Sequence, residues 1–233
     1  MNIHINCQGI YDIESKQRIY SEILVRKYGN ISGVDNIMYW AYKDKKYREL
    51  DEDIIDYSAG LIRTMRDTEQ KYAFNICGET LKTYNEAHRI ISILNKHEVK
   101  DRVMIEVTEK TDFENSTVIE NIKELSSSGI KIILDDFGKE NSNIEALMNI
   151  KFDIVKLDKN YIKQAVCTRR QLEILAGVIN MLDNLNILTV VEGVETLDQL
   201  QTVKNIGATA VQGYYLEKPK HLGYGTEVQK NLC

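Results

Sequence analysis

The chain has 233 residues, 43% of them hydrophobic, with 30 basic and 35 acidic side chains giving a formal charge of −5. That apolar share suffices for a sizeable core in one domain spanning 1–233, and the mildly acidic balance excludes a global field for a nucleic-acid polymer or an anionic membrane. The longest apolar runs, such as "ILTVV" at 187–191, are far too short to cross a bilayer, and "MNIHINCQGIYD" lacks the regions of a signal peptide, so a soluble cytoplasmic protein is expected.

In chain order, apolar runs rich in Val and Ile predict eight strands, near 3–10, 18–25, 72–76, 102–107, 130–135, 153–157, 187–192 and 208–213. The first two are separated only by "YDIESKQ", enough for a hairpin and too short for a helical crossover, which makes them antiparallel. Amphipathic stretches predict helices near 51–66, 79–96, 113–127, 142–149, 160–183 and 196–205. In the third, Val118, Ile119, Ile122 and Leu125 share one face and Gly129 ends the helix. Two strands followed by six αβ units give the eight strands of a (β/α) barrel, here of modified TIM type with an antiparallel strand near the N-terminus. An open doubly wound sheet is the alternative, but no strand is followed by a glycine-rich phosphate turn.

Cys7, Cys77, Cys167 and Cys233 lack C-x-x-C spacing, and His4, His88, His97 and His221 form no close pair, so zinc ligation and a disulfide framework are not indicated. The strand ends carry a different chemistry. They present Glu22, Asn75, Glu106 with Glu109, Asp135 with Asp136, Lys156 with Asp158, Glu192 with Glu195, and Gln212. A closed barrel would gather these distant residues on one rim, where catalytic groups of such barrels sit. A ring of carboxylates repels itself unless cations neutralise it, and oxygen ligands suit Mg²⁺, Mn²⁺ or Ca²⁺. The Asp135–Asp136 pair could reach two ions, the arrangement used for in-line displacement at phosphorus. Lys156 and Arg26 supply positive charge for phosphate oxygens. "DDFG" contains the Asp-Phe-Gly of protein kinases, but no glycine-rich loop, Val-Ala-Ile-Lys strand or His-Arg-Asp loop accompanies it.

These motifs together resemble the EAL domain, the bacterial cyclic di-GMP phosphodiesterase module. The signature Glu-Ala-Leu stands as Glu22-Ile23-Leu24, continued by Arg26; "FNIC" at 74–77, "IEVTE" at 105–109, "LDDFG" at 134–138, "VKLD" at 155–158, "VEGVET" at 191–196 and "QGYYLEKP" at 212–219 follow in the family's order. The resemblance implies a TIM-like barrel with one antiparallel strand and a site holding two Mg²⁺ or Mn²⁺ ions. Glu22, Asn75, Glu106 and Asp135 would hold the first ion, and Asp136 would serve the second. Lys156 would orient the attacking water or a phosphate oxygen, and Glu192 would be the general base or activator. Glu195 would join the catalytic groups, Arg26, Gln212 and Asp158 would lie on the substrate side, and Glu109 would anchor the loop after Asp136. The implied reaction is hydrolysis of cyclic di-GMP to linear pGpG by a homodimer. The alternative is a non-catalytic EAL-like module that binds cyclic di-GMP or a protein partner. Two segments differ from the family's usual pattern: the stretch after Arg26, and Lys139-Glu140-Asn141-Ser142-Asn143 where Thr-Gly-Tyr-Ser-Ser is usual.

Overall fold

A computed structural model of the chain describes residues 3–27, 46–139 and 144–222. Most of the stretch after Arg26 and residues 140–143, the two segments that differ from the family pattern, lie outside the described residues. The strands are β1 (Ile3–Asp12), β2 (Arg18–Lys27), β3 (Tyr72–Asn75), β4 (Val103–Thr108), β5 (Lys131–Phe137), β6 (Ile154–Leu157), β7 (Leu188–Val191), β8 (Ala210–Val211) and β9 (Lys220–His221). The helices are α1 (Tyr47–Arg63), α2 (Gly78–Leu81), α3 (Glu86–Lys96), α4 (Ser116–Ser127), α5 (Ile144–Asn149), α6 (Lys159–Ala165), α7 (Arg169–Asn184) and α8 (Leu197–Asn205).

β2 through β8 run parallel in sequence order, and β1 closes the ring by pairing antiparallel with both β2 and β8. The expected eight-stranded barrel with one antiparallel strand is therefore the observed fold. β9 is an addition the sequence pattern did not suggest: two residues that pair with β1 beyond the point where β8 leaves it. β8 itself is shorter than expected, because the chain turns at Gly213, where a Cβ would run into the backbone of Val194.

The barrel interior follows from the two-residue alternation of strands. Ile10, Tyr20, Ala73, Met104, Ile133, Ile154, Val190 and Ala210, one from each of β1 to β8, pack into a single inner cluster. Around this ring the inner neighbour coincides with the register partner at four junctions. At the other four (β2–β3, β4–β5, β6–β7 and β8–β1) it lies two residues further up, a total stagger of eight. That stagger is the shear of a (β/α)8 barrel.

The outer faces of the strands and the inner faces of the helices form a second, larger core. Two helices are interrupted where continuous ones were expected. Residues 79–96 split into α2 and α3 because Asn85 takes a left-handed conformation, φ 60°. Buried Asn121 of α4 satisfies the freed backbone, donating to the carbonyls of Leu81 (2.8 Å) and Thr83 (2.9 Å) and accepting from the Ala87 N–H (2.9 Å). Residues 160–183 split into α6 and α7 because Thr168 restarts the helix as an N-cap, accepting from the Gln171 N–H.

Candidate active site

Two residues above each member of the inner cluster, toward the C-terminal ends of the parallel strands, the apolar ring gives way to a polar one. Its members are Gln8, Glu22, Asn75, Glu106, Asp135, Lys156, Glu192 and Gln212. The same alternation that fills the core thus aims all eight at the barrel mouth.

Lys156 is at the centre. Its ammonium lies 3.2 Å from Glu22, 3.3 Å from Glu106, 3.1 Å from Asp135 and 2.9 Å from Glu192, with the side chain 1% exposed. Burial alone would pull its pKa down, but these four carboxylates outweigh it and hold the group well above its ordinary value. One ammonium leaves the excess of negative charge uncompensated, and the carboxyls respond unequally. Burial pushes Glu106 well up, raises Asp135, and takes Glu192 up to about 8, each opposed by Lys156. Glu22 goes the other way despite its burial. Lys156, Gln212 Nε2 (2.8 Å) and Asn75 Nδ2 (3.0 Å) all donate to it and favour its charged form.

Adjacent residues of a regular strand point to opposite faces, so Asp135 and Asp136 could not both reach the mouth without a distortion. β5 supplies one. Leu134 pairs with Val155 and Phe137 with Leu157, leaving two residues opposite Lys156, and Asp136 has φ 59°. This bulge re-aims the second carboxylate. Oxygen atoms of Glu22, Glu106 and Asp135 then lie within 4.8 Å of one another, as do those of Asp136, Asp158 and Glu192. The two groups fit hard divalent cations: every donor is oxygen, and buried Glu106 Oε1 has no hydrogen-bond partner among the described residues.

The remaining expected residues are distributed around this centre. Arg26 lies on the same face of β2 as Glu22, four residues higher, and lines a cavity of about 890 Å³ that also borders Asp135, Asp136, Tyr47 and Cys77. Buried Glu109 accepts the Gly138 N–H at 3.1 Å, tying the end of β4 to the turn after β5. Gly138 has φ 84°, and a Cβ there would strike the Tyr161 ring. Asp158 caps α6, accepting from Asn160 N–H at 2.8 Å, while sharing the second carboxylate group. Glu195 stands apart: it is exposed, belongs to neither carboxylate group, and its N–H donates to Gln199 Oε1 beside the α8 capping box. Gln8 was missed by a reading of strand ends, since β1 runs the other way and presents its N-terminal half at the mouth. The hairpin register that pairs Gln8 with Glu22 was the signal that could have found it.

The EAL domain family model matches residues 2–219. The chain belongs to the EAL domain family. Among curated relatives of this EAL domain, the cyclic di-GMP phosphodiesterase TpdA of Vibrio parahaemolyticus is 26% identical over 223 residues, covering 91% of this chain and 36% of TpdA. The probable cyclic di-GMP phosphodiesterase PdeA of Escherichia coli is 29% identical over 154 residues, 65% of this chain and 21% of PdeA. The chain thus spans well under half the length of these relatives. Among solved structures, the calcium and cyclic di-GMP complex of Klebsiella pneumoniae BlrP1 superposes with a TM-score of 0.88 at 25% identity, covering 98% of this chain and 58% of BlrP1. The FimX EAL domain of Pseudomonas aeruginosa bound to cyclic di-GMP has a TM-score of 0.86 at 19% identity, covering 97% and 94% of the two chains.

Proposed function

We propose that this EAL domain is a metal-dependent phosphodiesterase that hydrolyses cyclic di-GMP to linear pGpG. The observation that carries the reading is the pair of oxygen-ligand groups beside Lys156: Glu22, Glu106 and Asp135 in one, with Asn75 hydrogen-bonded to Glu22, and Asp136, Asp158 and Glu192 in the other. Glu22, Asn75, Glu106 and Asp135 would hold one ion, and Asp136, Asp158 and Glu192 the other. Mg²⁺ or Mn²⁺ bound there supplies charge neutralisation at phosphorus and acidifies a water.

The chain's own groups do the rest. Arg26 grips a non-reacting phosphate with its planar fork. Lys156 orients the attacking water or a phosphate oxygen, and Glu192, 2.9 Å from the Lys156 ammonium, takes the proton from that water. Water adds to phosphorus as the bond to the ribose 3′ oxygen breaks; that oxygen takes a proton from solvent while Glu192 returns to solvent the one it accepted, so one ring bond opens and the product keeps its 5′ phosphate. Gln212 lies on the substrate side, Glu109 fixes the turn that follows Asp136, and Glu195 acts from the rim. A cytoplasmic location belongs to the same reading. The working unit is a homodimer, supported by Ile144 and Met148, one turn apart on α5 and exposed by 53% and 81%.

A second reading, a cyclic di-GMP receptor without turnover, is favoured by one contact. The Lys139 ammonium sits 2.7 Å from Asp136 Oδ2, where it competes with a cation. Purified protein with Mn²⁺ or Mg²⁺ is expected to convert cyclic di-GMP to pGpG, read by chromatography and mass spectrometry, with Glu22→Ala and Glu192→Ala inactive. Nucleotide binding with no turnover above a metal-only blank would establish the receptor reading instead.

A further inference from the structure

Behind Glu22 runs a chain of amides whose orientation is fixed from one end. Gln8, buried on β1, donates from Nε2 to the main-chain carbonyl of Glu217 at 2.9 Å. A carbonyl oxygen accepts only, so this bond decides which way the Gln8 amide faces, and Oε1 must point to the other side. There it meets Gln212 Nε2 at 3.3 Å, and the same Nε2 donates to Glu22 Oε2 at 2.8 Å. The orientation of Gln212 is set in turn, and its Oε1 is left as a buried acceptor with no hydrogen-bond partner among the described residues.

The far end of the chain is firmly held. The Glu217 carboxylate, itself buried, accepts from the Gly9 N–H at 2.9 Å, the Tyr11 hydroxyl at 3.1 Å and Arg18 Nη2 at 2.9 Å, and pairs with Lys220 at 3.0 Å. A side chain at Gly9 would press on Glu217 Oε2 and the Tyr11 ring, both 2.7 Å from its Cβ position. The turn between β8 and β9 is thereby pinned to β1, and Gln8 carries that fixed position inward.

We propose that Gln8 is a positioning residue for the cation site: by fixing the Gln212 amide it holds Glu22 in its ligating orientation and keeps Gln212 Oε1 available as an acceptor. The inference rests on the reading of Glu22 as a cation ligand. If Gln212 were turned over, its oxygen would face the Glu22 carboxylate and Gln8 Oε1, three acceptors with no hydrogen between them. Among contacts between the described residues, Gln8 alone of the eight ring residues leads away from the mouth to a main-chain anchor, which is why it acts through Gln212 rather than on a ligand directly.

The test measures Mn²⁺ affinity by electron paramagnetic resonance without nucleotide, so an absence of turnover would defeat the proposed function yet leave this experiment intact. Gln8→Leu is expected to weaken Mn²⁺ binding by about 10- to 100-fold, the range for groups that orient metal ligands. Gln212→Leu should do the same, and the double variant should be no weaker than the worse single one by more than about 3-fold, because both break one chain. The Gln212 side-chain amide signals in ¹⁵N NMR should also lose their protection from exchange in Gln8→Leu. Gln8→Met, which keeps the length and packing, replaces Gln8→Leu if the latter does not fold. Wild-type Mn²⁺ affinity in the Gln8 variant, whatever its melting temperature, or losses that multiply in the double variant, would overturn the proposal.

Discussion

Lys139 and Asp136 are three residues apart, straddling the glycine turn that follows the β5 bulge, and their pairing decides how much of the second carboxylate group is free for a cation. The hydrogen bond to Asp136 lifts the Lys139 pKa, so the ammonium stays charged at neutral pH. Both side chains are partly exposed, 43% and 25%, which limits the pair to about 0.2–1 kcal/mol, up to roughly 5-fold in an equilibrium. Replacing Lys139 with Thr is therefore expected to tighten the weaker of two Mn²⁺ binding steps by about 2- to 5-fold in a calorimetric titration. Unchanged or weaker binding would mean that Lys139 moves aside at no cost. At this scale the sequence was readable wherever a side chain sits at a strand's C-terminal end. Glu22, Glu106, Asp135, Lys156 and Gln212 were placed by that rule, and Gln8 escaped it because β1 is inverted. Neither the Lys139 contact nor the sharing of Asp158 between a helix cap and a carboxylate group could be read from spacing, since both depend on where a turn directs a side chain.

Elements outside the barrel wall carry their own titration. Asp51 on α1 reaches the start of α2, accepting the Cys77 N–H at 2.9 Å and the Thr80 hydroxyl at 2.6 Å. Burial nevertheless pushes its pKa up to about 6, the two hydrogen bonds opposing. An unfolded Asp titrates near 4, so between about pH 4 and 6 the folded chain binds more protons at this group than the unfolded chain does. This group's contribution to stability therefore falls as pH rises through that window, by about 3 kcal/mol when complete. Denaturant melts at pH 4 and pH 7 should show wild-type stability, relative to Asp51→Asn, dropping by about 2 kcal/mol, since the unfolded Asp is already about half ionised at pH 4. A pH-independent difference would place the Asp51 carboxyl at its ordinary pKa. The helices also mark where pattern reading reaches its limit. Period alone ran α2 into α3 and α6 into α7, although Asn85 and Thr168 are residue types that favour a left-handed turn and an N-cap. What commits the first break is Asn121, a polar residue on the otherwise apolar face of α4, and that match is tertiary.

For the whole molecule, the stagger of eight and the β1 closure bury the strands on both faces, so the exposed apolar side chains lie on the helices and loops outside the barrel wall, Tyr57, Tyr84, Ile174 and Leu185 among them. The exposed pair on α5 has a position that matters: Ile144 and Met148 lie on the first described helix after Asp136, four residues apart and so on one side of it. Their neighbour Ala146 is fully buried, so α5 is docked on the barrel by its opposite side and turns these two residues outward. Isolated surface apolars need no account, but a long thioether at 81% exposure beside a half-exposed isoleucine favours burial against a second copy, which would double the small patch through a twofold axis. Light scattering on the purified chain should give a mass near twice 26.9 kDa, and Met148→Glu should bring it to the single value by placing two charges in a shared apolar contact. A wild-type protein that stays at 26.9 kDa at high concentration would refute the dimer. A dimer unaffected by Met148→Glu would move the interface to another face.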